Sequence, residues 1–167
     1  MDIYKGGRCD EWGTQPELLE KLGIKDAFDV CASAENAKFP EYWTVNDDAL
    51  SREWPLGRVC FMNPPFSKAE AFFKKAAKEA ARGVQVVSIY KATNLETKTW
   101  QGAILPHCDG VLFLKGRTEY VRPDEKGRGV PFGSAIIFYN VRKKMLTGSE
   151  HLGFFVNTHG GEVSRNP

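Results

Sequence analysis

Asn63-Pro64-Pro65-Phe66 is the stretch of this chain best suited to chemistry. Two successive prolines fix φ twice and remove two N–H donors, which leaves a stiff turn. In such a turn the Asn63 side-chain oxygen and the Pro64 carbonyl can converge as acceptors on the two protons of an exocyclic NH2 group. The ring of Phe66 can stack on the planar system that carries the amine. The pair of acceptors would draw a resonance-delocalised amine toward tetrahedral geometry and aim its lone pair at an electrophile. The plainer alternative is a proline-rich loop whose Ser67 caps the following helix.

The neighbouring residues place this turn between a strand and a helix. Arg58 to Met62 is β-rich and apolar, and reads as a buried strand. Ala69, Phe72, Phe73, Ala76, Ala77 and Ala80 recur at helical spacing across Ser67 to Arg82. Strand Val84–Tyr90 completes a βαβ unit. Upstream, a helix is expected from Pro16 to Leu22, with Thr14 as its N-cap and Gly23 just past its end. A short strand is expected from Ala27 to Ala32. Glu35 to Pro55 has no convincing period and reads as a long functional loop, with at most a short helix near Asp48 to Arg52. Downstream, a helix is expected over Thr97 to Leu105. Strands are expected over Gly110 to Leu114, Glu119 to Val121, Ser134 to Tyr139 and Gly153 to Val156. Alternating elements followed by antiparallel-looking strands predict an α/β sheet with helices on both faces.

The chain has 167 residues, 42% of them hydrophobic and 26% charged, with a formal net charge of +2. Those values suit a single domain over residues 1–167. No apolar run is long enough to span a bilayer, and no signal-peptide core is visible, so the expectation is a cytoplasmic protein with no membrane partner. Cys9, Cys31, Cys60 and Cys108 lie far apart without paired histidines, which predicts free thiols and no bound metal. The sequence leaves the oligomeric state open, with a monomer favoured over an oligomer.

The residues resemble the amino-methyltransferases that use S-adenosylmethionine, whose signature is [Asn/Asp/Ser]-Pro-Pro-[Tyr/Phe/Trp]. More specifically, the chain resembles the phage-type DNA N6-adenine methyltransferases. The matching stretches are Asp10–Thr14, Phe28–Ser33, Glu35–Lys38, Asn46–Leu50, Met62–Phe66, Gly116-Arg117 and Pro131–Phe138. The four-residue signature is shared with cytosine-N4, RNA and protein-glutamine methyltransferases, and a non-catalytic nucleic-acid-binding relative of the same fold is a further alternative. The early Asp29-Val30-Cys31-Ala32 segment points to the DNA adenine group.

That resemblance implies a Rossmann-like class I methyltransferase sheet with helices on both faces and antiparallel C-terminal strands. It also implies S-adenosylmethionine as cofactor, bound beyond the strand carboxyl ends near a topological switch point. Asp29 is the candidate acidic residue at the end of the first strand, with Cys31 and Ala32 replacing the usual glycine-rich loop. Asn36 is a candidate for the same pocket, or a loop-stabilising amide. Asp48 is a candidate for the ribose or adenine amine, or a helix cap. Trp12 and Thr14 look like the family segment that lies against the methionine part of the cofactor, although Gln15 here separates Thr14 from Pro16. Asn63, Pro64, Pro65 and Phe66 are the catalytic candidates. DNA is the implied partner. A duplex buries the adenine amine in its stack, so the base must be flipped out. In the Lys115–Gly133 loop, Arg117, Tyr120, Arg122, Lys126 and Arg128 are the candidate nucleic-acid contacts, diluted by Glu119, Asp124 and Glu125. No stretch is long enough for a separate recognition module, so a relaxed target sequence is expected.

Overall fold

The computed structural model describes residues 13–116, 132–141 and 150–158. Among these residues a mixed sheet of seven strands is flanked by helices. The strands are β1 (Phe28–Asp29), β2 (Glu41–Tyr42), β3 (Val59–Met62), β4 (Gln85–Lys91), β5 (Gly110–Leu114), β6 (Ser134–Tyr139) and β7 (Gly153–Asn157). Their order across the sheet is β2-β1-β3-β4-β6-β5-β7. The first four are mutually parallel, and β6 pairs antiparallel with both β4 and β5. Strand β7 closes the described edge antiparallel to β5.

Every residue of β3 and β6 is buried, as expected for strands covered on both faces. Alternate side chains feed two cores. Cys60, Met62, Val86, Tyr90, Ile137 and Tyr139 face helix α2 (Ala69–Ala81) and a π-helical segment, Thr99–Ile104. Val59, Phe61, Val87, Ile89, Ile136 and Phe138 face Leu19 of helix α1 (Pro16–Lys21) and its flanking Leu22 and Ile24. The expected layering of helices on both faces is therefore present.

Helix α1 ends where Gly23, at φ +73°, lets its own N–H reach the Glu20 carbonyl and the Ile24 N–H reach Leu19. This pair of hydrogen bonds satisfies two of the last carbonyls and folds Ile24 back against Leu19.

Two caps expected from sequence are corrected. Gln15, in extended conformation, takes the cap position of α1 in place of Thr14; its side chain makes no cap bond, and its carbonyl accepts from the Leu18 N–H at 3.1 Å. Helix α2 is entered through a 3₁₀ turn, Phe66–Lys68, so Ser67 lies inside the turn instead of capping the helix.

The long segment before β3 is more ordered than its sequence suggests. It holds β2, then a 3₁₀ turn at Val45–Asp47 capped reciprocally by Thr44 and Asp47. Asp48 ends that turn at φ 52°, so it does not cap a helix at Ala49. The expected helix near Asp48–Arg52 is absent. The Thr97–Leu105 helix takes the wider π form, with the Leu105 N–H reaching Trp100. The expected strand Glu119–Val121 lies outside the described residues.

The buried carboxylate of Glu79 on α2 ties the long segment to the body of the protein. It accepts from the Trp54 N–H at 3.2 Å and pairs with Lys75 at 2.6 Å and with Arg82. The Trp54 indole, itself buried, then donates to the Ala49 carbonyl at 2.8 Å.

Candidate active site

Strand β1 connects to β2 on one side, while β3 connects through α2 to β4 on the other. The reversal leaves a crevice beyond the carboxyl ends of β1 and β3, the place where open α/β sheets bind ligands. A cavity of about 590 Å³ occupies it. Thr14, Asp29, Cys31, Ala32, Asn36, Asp48, Asn63 and Pro65 all line this cavity. The structure thus brings together eight of the residues singled out from sequence, drawn from five separate stretches of chain. Pro64 and Phe66 do not line it. Trp12, Arg117, Tyr120, Arg122, Lys126 and Arg128 lie outside the described residues.

Asp29 is 3% exposed. Burial pushes its carboxyl up to about 6, against hydrogen bonds from the Cys31 and Lys38 N–H groups and the charge of Lys38. The Cys31 N–H donates to Asp29 Oδ1 at 3.0 Å. The folded protein therefore holds this proton more tightly than the unfolded chain, whose value is near 3.8. By linkage the empty protein should lose stability as pH rises from about 4 to about 6. Denaturation midpoints measured across this range should fall in the wild type relative to Asp29→Asn; parallel profiles would show that Asp29 is solvated. A ligand cation seated against Asp29 would favour the ionised form instead.

Burial also raises the Cys31 thiol well above its ordinary value, with the Asp29 charge adding to the effect. Cys31 is thus a neutral wall, not a nucleophile. The Asn36 carboxamide oxygen accepts from the Ser33 N–H at 2.7 Å, so it holds the turn that forms the cavity wall. The Thr14 hydroxyl accepts from Asn63 Nδ2 at 3.3 Å. That bond places the amide nitrogen toward Thr14 and turns the Asn63 oxygen the other way. Among the described residues no group of three or more His, Cys, Asp or Glu is arranged to hold a metal ion, and no helix is long and apolar enough to cross a membrane.

The sequence reading missed several wall residues. Lys38 and Lys68 bring positive charge, and Ala49, Leu50 and Phe72 bring an apolar side. Phe72 belongs to the apolar stripe of its helix, and Lys38, Ala49 and Leu50 lie within stretches that carry the family resemblance; Lys68 has no local signal.

Phe66 faces away from the cavity. Its ring meets Tyr90 edge-on at 5.8 Å and Phe132 at 5.6 Å between centroids, and the Lys91 ammonium lies over it at 4.9 Å. Asn63 therefore stands between a cavity of mixed polar and apolar lining on one side and an aromatic cluster on the other.

A family model described as DNA N-6-adenine-methyltransferase (Dam) matches residues 5–147. A DNA N-6-adenine-methyltransferase of Escherichia phage T1 is 30% identical over a stretch covering 54% of this chain and 42% of that protein. One of Haemophilus phage HP1 is 35% identical over 35% of this chain and 34% of its own length. The matched stretches span less than half of either relative.

Proposed function

Since the chain belongs to the DNA N-6-adenine-methyltransferase family, we propose that it methylates the N6 amine of adenine in DNA, with S-adenosylmethionine as the methyl donor. The single observation that carries this reading is the position of Asn63, in the wall of the cavity and directly before the turn that presents Phe66 on the other side. The donor and the acceptor amine would meet there.

The cavity suits the donor chemically. Asp29 offers a buried carboxylate to the methionine ammonium, Ala32 permits close backbone approach, and Thr14 and Trp12 belong to the segment that the family lays against the methionine. Asp48 offers an acceptor to the ribose or the adenine amine. S-adenosylmethionine bound there supplies an electrophilic methyl carbon on a sulfonium. The mixed seven-stranded sheet with the crevice at β1 and β3 supports the Rossmann-like class I form of the fold.

The residues of the chain do the rest by placement. The Asn63 oxygen and the Pro64 carbonyl accept the two N6 protons of a flipped adenine. Pro64 and Pro65 hold the turn rigid, and Phe66 stacks on the base. No base is needed before attack, because the amine loses its proton during or after methylation. Orientation and exclusion of water supply the acceleration. The basic loop holding Arg117, Tyr120, Arg122, Lys126 and Arg128 would contact the DNA backbone, giving a relaxed target sequence and salt-sensitive binding. We place the activity in the cytoplasm of the cell that holds the DNA, carried by one domain acting as a monomer.

Incubation with unmethylated DNA and S-adenosylmethionine, followed by nucleoside analysis, tests the reading. N6-methyladenine is the expected product. N4-methylcytosine, or methylation of RNA or protein alone, would replace it with another amino-methyltransferase. Failure to bind the cofactor in calorimetry would indicate a non-catalytic relative.

A further inference from the structure

The Lys91 ammonium has an unusual station. Lys91 ends β4, where its register partner is Ser134, and the Trp100 indole donates to its carbonyl at 3.2 Å. The next residue, Ala92, donates to Gly133 at 2.8 Å. The backbone is thereby pinned on both sides while the side chain lies over the Phe66 ring. Lys91 is half-buried and pairs with no carboxylate among the described residues. A cation over a phenyl ring is only weakly held, so it is easily exchanged for a better partner.

We propose that Lys91 binds the DNA phosphate beside the extruded adenine, and that without DNA its ammonium occupies the Phe66 face that the base later takes. This rests on Phe66 being the stacking platform of the proposed function. An arriving base needs the ring face and carries its own phosphates with it. The displaced ammonium has three donors and no carboxylate partner among the described residues, so the flanking phosphate is its acceptor. One side chain would thus keep the platform covered in the free protein and anchor the flipped nucleotide once the platform is filled.

The test measures binding to a short duplex carrying 2-aminopurine opposite an abasic site, at salt concentrations from about 50 to about 200 mM. Loss of one phosphate contact lowers the salt slope by about one. Across that range the wild-type affinity should therefore fall about 3–4-fold more than that of Lys91→Met, while Lys91→Arg keeps the wild-type slope. Lys91→Met should also release the ring face, so the 2-aminopurine signal of its saturated complex should equal that of the wild type. An unchanged salt slope in a Lys91→Met protein with wild-type thermal melting would overturn the proposal. Phe66→Ala separates the two readings. It should abolish the stacking quench of 2-aminopurine without changing the slope. If that quench persists in Phe66→Ala, the platform reading fails whatever Lys91 does.

Discussion

Asn63→Ala should lower turnover about 10²–10³-fold while leaving cofactor affinity close to that of the wild type. This is the loss seen when one preorganised polar group aimed at developing charge is removed. The structure gives two reasons to expect the split between turnover and binding. Asn63 is one member of a wall to which Asp29, Cys31, Ala32, Asn36 and Asp48 also contribute, so the cavity keeps most of its contacts without it. Its Nδ2 donates to the Thr14 hydroxyl, which fixes the direction of the oxygen that would receive an amine proton. Calorimetry with the cofactor and single-turnover methylation would be measured on the same preparation. Turnover like that of the wild type would take Asn63 out of the chemistry. A parallel loss of cofactor affinity would make it a wall residue first.

Glu79→Gln should destabilise the fold by about 3–5 kcal/mol, the usual cost of removing one partner from a buried ionic cluster. Glu79 is 1% exposed, and its carboxylate is shared among Lys75, Arg82 and the Trp54 N–H. The amide would keep an acceptor for Trp54 but leave the Lys75 ammonium, whose side chain is only 10% exposed, without its counter-charge. Burial pushes the Glu79 carboxyl up, but the hydrogen bonds from Lys75, Trp54 and Arg82 outweigh it and hold the group below its ordinary value of 4.5. A carboxyl depressed in this way stabilises the protein above its unfolded value, and that stability is lost as pH falls through the folded value. Denaturant midpoints at neutral pH should therefore separate wild type from variant widely, and the gap should narrow in acid. A difference below about 1 kcal/mol at neutral pH would mean that the cluster is effectively solvated.

The elements that the sequence disclosed were those whose signal is local. Strands Gly110–Leu114 and Ser134–Tyr139 have the bounds expected from their apolar runs, and Val59–Met62 differs from the expected run only by Arg58, because such strands are marked by their buried apolar residues. Strand β2 escaped notice since Glu41 and Tyr42 carry no strand pattern, and only pairing with Phe28 and Asp29 makes them a strand. The Thr14 and Ser67 caps follow from residue type, but α1 starts one residue later than a Thr14 cap requires, with Gln15 at the cap position, and the 3₁₀ turn displaces the other. At the candidate site, a stiff and rare tetrapeptide could be read directly, as could the Asp29–Ala32 segment beside it. The contribution of Lys68 could not, because a lysine becomes a cavity wall only through chain packed from elsewhere. Nor could the turn of Phe66 away from the cavity, which depends on Tyr90 and Phe132.

The insertion of β6 between β4 and β5 also fixes an order of assembly. Its register joins Val86 to Tyr139 and Lys91 to Ser134, so the middle of the sheet closes only through contacts distant in sequence. During synthesis β4 and β5 emerge first, with a gap one strand wide between them and two apolar edges open to other chains. Such distant pairing slows folding, and here it delays the completion of both cores at once. In refolding followed by pulsed hydrogen exchange, the amides of β4, β5 and β6 should gain protection in a single late phase. Protection of β4 well before β6 would mean that the βαβ half stands alone.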